Sequence, residues 1–125
     1  MDIEEVRPVD LNLFSSFLSL EELINLKSIS PVHQLDYFYD IWTLKESYTK
    51  ALGLGLTLPL KQYSITKIDS KYIGVKNNGI LQPYYFRQYD FLDNYKLSVC
   101  SKCEELTQNV NVKKFDEIIQ NLMNN

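Results

Sequence analysis

The chain has few of the residues that most often bind transition metals. Its only histidine is His33, and its two cysteines, Cys100 and Cys103, form a single C-x-x-C. A structural zinc site would need two further ligands, and His33 lies far from the cysteine pair in sequence. A redox pair is typical of a helix N-terminus, where the thiol pKa is lowered, whereas Cys100 ends an alternating, strand-like segment. A lone C-x-x-C is a weak signal, so neither zinc binding nor redox chemistry is the expected function.

The chain also lacks a basic block and a long apolar run. Thirteen lysines and arginines stand against 16 aspartates and glutamates, which gives a net charge of −3. This excludes the usual electrostatic footprint of a nucleic-acid-binding protein. No apolar run approaches the ~18 residues that cross a bilayer, so we expect no membrane partner. Residues 2–5 are Asp-Ile-Glu-Glu, unlike the basic start of a signal peptide, and we expect a cytoplasmic protein.

What remains is the composition of an ordinary globular domain. The 125 residues, 45% hydrophobic and 23% charged, predict a single domain over residues 1–125. Nine tyrosines and six phenylalanines favour a core that contains strands over an all-helical bundle. We find no internal repeat, low-complexity tract or linker.

The first half of the chain is predicted to be mainly helical. Ser19 and Glu22 form a capping-box pattern, and Pro31 is tolerated at the first position of a helix. The expected elements are the end of a strand at 2–6 and helices at about 10–17, 20–26 and 31–52.

In the second half of the chain, polar and apolar residues alternate as they do in strands. The run Asn77-Asn78-Gly79 is a strong hairpin turn signal, and Pro83 implies a sheet edge or a bulge. The expected elements are strand regions at 63–68, 71–75, 80–90 and 95–101, then a helix around 115–122. Helices followed by an antiparallel meander and a closing helix predict an α+β fold, with helices packed on an antiparallel sheet.

One edge of the long predicted helix carries an unusual set of side chains. Trp42, Glu46 and Lys50 are spaced i, i+4, i+8, and Lys45 lies next to this row. A carboxylate between two lysines, backed by an indole, could hold a metal ion and a phosphate together.

The same helix also has an ordinary structural interpretation. Glu46 and Lys50 form a favourable i,i+4 pair, worth roughly 0.2–0.5 kcal/mol on a solvated surface. Gly53 is a plausible left-handed residue after the helix end. A core stripe recurs at spacings of three and four: Tyr37, Ile41, Leu44, Tyr48 and Ala51.

Two carboxylates at the start of the chain add to the helix motif. Asp2 and Glu4 would lie on one face of a strand, where they repel each other unless a cation neutralises them. Mg²⁺ does so with carboxylates, water and substrate phosphates as ligands. With Glu46 there would be three carboxylates, and Lys45 and Lys50 would face phosphate, as in a phosphoryl-type transfer site. The alternative is an acidic N-terminus that is simply solvated.

Together these two motifs resemble the signature of the 4′-phosphopantetheinyl transferases of the surfactin-synthetase-activating type. Further likenesses to the family lie at 17–22, 36–39, 56–60 and 95–100, so that the resemblance covers roughly residues 1–102. The two motifs read Asp2-Ile3-Glu4 and Trp42-x-x-Lys45-Glu46-Ser47-x-x-Lys50-x-x-Gly53-x-Gly55-Leu56.

Enzymes of this family transfer the 4′-phosphopantetheine arm of coenzyme A to a serine of an acyl or peptidyl carrier protein. The resemblance implies that Asp2, Glu4 and Glu46 bind Mg²⁺, which also contacts the pyrophosphate. It implies that Glu46 is the general base for the carrier serine, directly or through water. Lys50 as a catalytic residue, together with Lys45, would bind the phosphates of coenzyme A.

The resemblance also implies that Trp42 packs and orients the helix. Surfactin-type members consist of two similar halves, and the first half carries a histidine-serine motif and basic residues that hold the nucleotide. This chain resembles the second half only and opens at the aspartate motif. We therefore expect a 4′-phosphopantetheinyl transferase-like half-domain that needs a complementing N-terminal half or a homodimer for activity.

Two functions remain open from the sequence. The first is a Mg²⁺-dependent transferase that uses coenzyme A as co-substrate. The second is a non-catalytic remnant that self-associates or binds a carrier protein. The sequence does not distinguish among carrier proteins.

Overall fold

The computed structural model describes residues 1–53, 59–67, 72–89 and 93–103 of the chain. The helices are α1 (Leu11–Phe17), α2 (Leu20–Ser28) and α3 (Pro31–Leu52), and a 3₁₀ turn covers Leu60–Gln62. The strands are β1 (Asp2–Glu5), β2 (Tyr63–Lys67), β3 (Ile73–Asn77), β4 (Ile80–Leu81), β5 (Tyr85–Tyr89) and β6 (Tyr95–Ser101). The predicted α+β fold is thus confirmed, while the helix expected around 115–122 lies outside the described residues.

The described strands form two antiparallel sheets rather than one meander. Their orders are β1-β6-β5 and β2-β3-β4. The strand region expected at 80–90 contains two strands that divide around Pro83, with β4 in one sheet and β5 in the other. Proline has no N–H for a ladder, so it suits the point where the chain changes sheets. The predicted turn is confirmed, because Asn78 and Gly79 have φ of 52° and 79°.

Local capping signals define the helix ends. The Asp10 carboxylate accepts a hydrogen bond from the Asn12 N–H at 3.0 Å, which satisfies a free donor of α1. Ser19 and Glu22 form the predicted capping box of α2. Gly53 ends α3 in the left-handed conformation, with φ of 71°.

Helix α3 packs against β1 and β6 on one side and against α2 and β2 on another. Ile41, Leu44 and Tyr48 are buried as predicted, whereas Tyr37 is only partly buried and Ala51 is exposed. A single stripe failed here because a helix between two layers buries more than one face. The core cluster of described residues draws on α1, α2, α3, β2, β3, β5 and β6: Phe14, Leu18, Leu26, Phe38, Tyr39, Ile41, Leu44, Tyr48, Ile65, Val75, Phe86 and Cys100.

A buried ion pair crosses the interior between α2 and α3. The side chains of Lys45 and Glu22 are 1% and 0% exposed, and the ammonium contacts the carboxylate directly. The same ammonium donates to the carbonyls of Phe17, at 2.9 Å, and Leu60, at 2.8 Å. These three acceptors use all three N–H donors of the lysine.

The Glu22 carboxylate is equally well satisfied. It accepts hydrogen bonds from the backbone N–H of Ser19 at 2.8 Å and of Ile65 at 2.7 Å. The pair therefore connects the end of α1, both longer helices, the 3₁₀ turn and β2.

Cys100 lies within β6 and Cys103 follows the strand; both are free thiols. Burial raises the pKa of the Cys100 thiol to about 12, which disfavours the reactive thiolate. Within the described ranges, no helix is both long and apolar enough to cross a membrane.

Gly53→Ala is expected to lower the free energy of unfolding by about 1–2 kcal/mol, because a side chain disfavours the left-handed backbone. An added Cβ would meet nothing within 4 Å, so crowding adds no cost. Gly53→Asn should cost less, since asparagine tolerates this conformation. Urea unfolding measures both, and equal losses would contradict the backbone explanation.

Lys45→Met is expected to destabilise the chain by about 3–5 kcal/mol, because it leaves the Glu22 carboxylate buried without its counter-ion. The double variant Glu22→Gln/Lys45→Met removes both charges and should recover much of this loss. Chemical unfolding of the three proteins provides the comparison. A double variant no more stable than Lys45→Met would show that the pair is not the cause.

Candidate functional site

The carboxylates of β1 lie on the face of the sheet that packs against α3. Asp2 pairs with Ser98 of β6, and Glu4 pairs with Lys96. The hydroxyls of Ser98 and Thr43 are hydrogen-bonded at 2.8 Å, and both residues are completely buried. Since opposed residues of an antiparallel pair share a face, Asp2 and Glu4 point toward α3.

Asp2 is the most unusual of these side chains. It is 5% exposed, and one oxygen, Oδ1, accepts a hydrogen bond from the Lys50 ammonium at 2.8 Å. The other oxygen, Oδ2, is buried and has no hydrogen-bond donor among the described residues. A buried carboxylate oxygen without a partner is costly and rare, and it marks a position where a cation or a donor would be stabilised.

Glu4 and Glu46 are electrostatic neighbours of Asp2. Burial raises the pKa of Glu4, and the negative charges of Asp2 and Glu46 raise it further. Burial also raises the pKa of Glu46, again with a contribution from Asp2, while Lys50 opposes the shift. Such shifts mean that added positive charge would stabilise the ionised forms of Glu4 and Glu46.

Lys50 and Trp42 complete the surroundings of these carboxylates. The Lys50 side chain is 54% exposed, so its ammonium lies between the buried Asp2 and solvent. The nearby Trp42 side chain lowers the pKa of the Glu4 carboxyl, against the larger effect of burial. Its ring packs edge-on against Phe17, with centroids 4.4 Å apart, and is stacked 6.4 Å from Phe38. Trp42 thus packs and orients α3 as expected; its effect on Glu4 was not predicted.

Lys45 is not part of this group. The expectation that it binds phosphate does not fit its placement, because its three donors are already bonded in the interior beside Glu22. Burial lowers the pKa of Lys45, and the charge and hydrogen bond of Glu22 oppose that shift. Its position three residues after Trp42 turns it away from the carboxylates. We therefore correct its role to a structural one.

The oxygen-rich donor set fits a hard cation such as Mg²⁺, and the unpartnered Asp2 Oδ2 supplies an atom to bind it. Within the described residues this set of ligands is not complete, however. In the part of the chain that the structure describes, no three histidine, cysteine, aspartate or glutamate side chains are arranged to hold a metal ion. The predicted ligands Asp2, Glu4 and Glu46 are brought near one another, and their joint binding of a cation stays a prediction.

Sequence reasoning missed two supporting residues. Glu22 was interpreted only as a capping residue, because nothing in the neighbouring sequence indicates that it faces a buried cation. Thr43 donates to the Tyr39 carbonyl at 2.9 Å and also meets Ser98, a residue 55 positions later. No local pattern could have paired them.

Glu46→Gln is expected to gain stability relative to the unchanged chain as pH rises. The ordinary pKa of Glu46 is 4.5, and burial raises it in the folded chain. The folded state then holds its proton more tightly than the unfolded state, so this contribution to stability is present below pH 4.5 and lost as pH rises through the folded pKa. Glutamine does not ionise, so the variant does not lose this stability as pH rises.

Thermal unfolding of both proteins from pH 4 to pH 7, with a chelator present, measures the difference. Glu21→Gln removes the same charge from the exposed part of α2 and serves as a control. A stability difference that stays constant with pH would contradict the prediction.

Comparison with known proteins agrees with the geometry. Residues 1–100 match the model of the 4′-phosphopantetheinyl transferase superfamily. A 4′-phosphopantetheinyl transferase of Bacillus subtilis is 32% identical over 119 residues, which are 95% of this chain and 53% of that protein. A 4′-phosphopantetheinyl transferase of Aneurinibacillus migulanus is 31% identical over 99% of this chain and 51% of its own length. The chain thus spans about half the length of these relatives.

Solved structures show the same fold. A holo-[acyl-carrier-protein] synthase of Thermotoga maritima superposes with a TM-score of 0.63 at 17% identity, over 79% of this chain and 58% of that one. That of Helicobacter pylori, solved with coenzyme A, superposes with a TM-score of 0.61 at 17% identity, over 80% of this chain and 95% of that one. The superpositions confirm the α+β fold, and the family match confirms the sequence-based family assignment. The chain belongs to the 4′-phosphopantetheinyl transferase superfamily.

Proposed function

We propose that this chain is the metal- and phosphate-binding half of a Mg²⁺-dependent 4′-phosphopantetheinyl transferase. The reaction moves the 4′-phosphopantetheine arm from coenzyme A to a serine hydroxyl of an acyl or peptidyl carrier protein. The serine oxygen forms the new phosphoester bond, the pyrophosphate bond of coenzyme A breaks, and 3′,5′-ADP leaves. The observation that carries the proposal is the buried Asp2, with one unpartnered oxygen and one bound to Lys50, beside Glu4 and Glu46.

Asp2, Glu4 and Glu46 would hold the cation. Asp2 Oδ2 is already desolvated and has no partner among the described residues, while the two glutamates are only partly buried. When bound, Mg²⁺ neutralises charge on the pyrophosphate as the phosphoanhydride bond breaks. Positive charge at this position would also relieve the repulsion that raises the pKa values of both glutamates.

Glu46 is proposed as the general base for the carrier serine, directly or through water. Its raised pKa brings the carboxylate nearer to the range in which it can accept a proton at neutral pH. Lys50 is proposed to bind the phosphates. A cation on Asp2 would compete with the Lys50 ammonium, whose side chain is 54% exposed and so accessible to an anionic ligand.

In such an enzyme, the residues that bind the nucleotide would be contributed by a second polypeptide. Because the chain spans about half of its relatives, we propose that a complementing N-terminal half or a second copy of this chain supplies them. A single domain over residues 1–125, equivalent to the C-terminal half of its relatives, and a cytoplasmic location are parts of the same proposal. The alternative function is a non-catalytic module that self-associates or binds a carrier protein, which the open ligand set would favour.

Incubation with coenzyme A, Mg²⁺ and an apo carrier protein tests the proposal. The carrier protein is expected to gain the mass of the phosphopantetheine arm, with this chain alone or after addition of an N-terminal half. Glu46→Gln should lower the rate by about 10²–10⁴-fold, because it removes the base and a cation ligand. Glu21→Gln, on the exposed part of α2, should keep full activity.

Mass spectrometry of the carrier protein gives the readout, and calorimetry gives Mg²⁺ binding. Transfer only after addition of the second half would identify a split enzyme. The absence of both transfer and Mg²⁺ binding, in either arrangement, would refute the enzyme and leave the binding module.

A further inference from the structure

We propose that Asp40 is a positioning residue for the carboxylate site, because it holds the Lys96 ammonium away from Glu4 and so leaves that carboxylate available to a cation. The cation rests on the proposed function, whereas the competition of the two carboxylates for one lysine does not. Asp40 thus acts through Lys96 and not by contact with a substrate.

The position of Lys96 in the sheet favours an ion pair with Glu4. The two residues are directly opposed in the ladder between β1 and β6. Opposed residues of an antiparallel pair share a face, with Cβ atoms roughly 4.5–5.5 Å apart, and opposite charges in such positions attract each other. The flexible stem of a lysine spans that distance. From the register alone, Glu4 would therefore be neutralised by Lys96.

The structure places the Lys96 ammonium elsewhere. It lies 3.2 Å from Asp40 Oδ1 and 3.9 Å from Asp36 Oδ1, two carboxylates of α3. Among the described residues it forms no ion pair with Glu4. The Asp40 side chain is 20% exposed and that of Asp36 is 61% exposed. Since solvent and salt screen an exposed pair more than a partly buried one, Asp40 supplies the stronger attraction.

Asp40 is itself held in place by β5. The side-chain amide of Gln88 donates a hydrogen bond to Asp40 Oδ1 at 3.2 Å. Asp40, Gln88 and Lys96 all line a cavity of about 240 Å³. This cavity leaves the lysine stem room to change direction, so charge rather than packing decides where the ammonium lies. Removing the Asp40 charge should therefore release Lys96 toward Glu4.

A released Lys96 would compete with a cation for Glu4. An ammonium at ion-pair distance compensates the carboxylate charge and repels a divalent cation at the same position. Outer residues that orient a metal ligand typically change metal affinity 10–100-fold when they are removed. Asp40 acts on one of the three proposed ligands, so we expect an effect near the lower end of that range.

Calorimetry of Mg²⁺ binding at neutral pH tests the inference with the unchanged chain, Asp40→Asn, Lys96→Met and the double variant. Asp40→Asn keeps an oxygen for the Gln88 amide and should weaken binding about tenfold. Lys96→Met should change the affinity less than about twofold while Asp40 is present, yet restore most of the affinity that Asp40→Asn loses. Asp10→Asn removes the same charge from an exposed helix cap that asparagine also forms, and should leave the affinity unchanged.

The dependence of one substitution on the other decides between explanations. A general effect of charge would make Lys96→Met strengthen Mg²⁺ binding equally with and without Asp40, and this outcome would overturn the inference. A folded double variant that binds Mg²⁺ as weakly as Asp40→Asn would also overturn it, because Asp40 would then act through the fold and not through Lys96.

A second measurement needs no metal ion. In urea unfolding with a chelator present, Glu4→Gln and Lys96→Met should act independently of each other in the unchanged chain. In the Asp40→Asn background they should be coupled, by about threefold in the unfolding equilibrium constant. Independence in both backgrounds would contradict the inference. If the unchanged chain bound no Mg²⁺, the proposed function would fail, and this coupling would still decide whether Asp40 withholds Lys96 from Glu4.

Discussion

The fold depends on one buried ion pair, Lys45 with Glu22. Removing two charges from water is costly, and this cost is offset only when every donor and acceptor finds a partner. Here the lysine bonds the Phe17 and Leu60 carbonyls, and the glutamate bonds two backbone N–H groups. Because these partners come from separate segments, the pair is satisfied only when α1, α2, α3 and β2 are in place together. Such a requirement selects one arrangement of the helices rather than merely adding stability.

A second group of charges has the opposite character. Burial raises the pKa values of Glu4 and Glu46, and the charge of nearby Asp2 raises them further. In the described part of the chain only Lys50 is ion-paired with any of the three carboxylates. The charges of this group repel one another, whereas those of the Lys45–Glu22 pair compensate each other. Proteins tolerate an unfavourable cluster of like charges mainly where a ligand relieves it, and perturbed pKa values concentrate at functional sites. Helix α3 thus carries members of both groups: Lys45 of the fully compensated pair, and Glu46 of a carboxylate cluster that a bound cation would stabilise.

The sequence predicted what neighbouring residues determine. The capping box at Ser19, the left-handed Gly53 and the Asn78-Gly79 turn follow from local backbone chemistry, and all three were correct. The role of Lys45 could not be predicted, because a lysine in a charged motif is ordinarily exposed and its acceptors are contributed by three separate segments. The division of the strands into two sheets was missed for the same reason, since pairing between distant strands leaves no local pattern. Of the site, the motif located the residues but not their hydrogen bonds.

The position of the carboxylates within the sheet bears on how half of a two-part fold could work. Within the described residues β1 pairs only with β6, so Asp2 and Glu4 lie on an edge strand. A site at a sheet edge has its protein ligands on one side only. Helix α3 packs against β1 on that side and contributes Trp42, Glu46 and Lys50. A substrate with a pyrophosphate would then lie against the chain rather than inside it. Its remaining surface would be free for a second polypeptide, and a boundary between two halves is where such a site can be shared. Under the proposed function, this chain would supply the buried pair and the helix, and coenzyme A would bind where the two polypeptides meet.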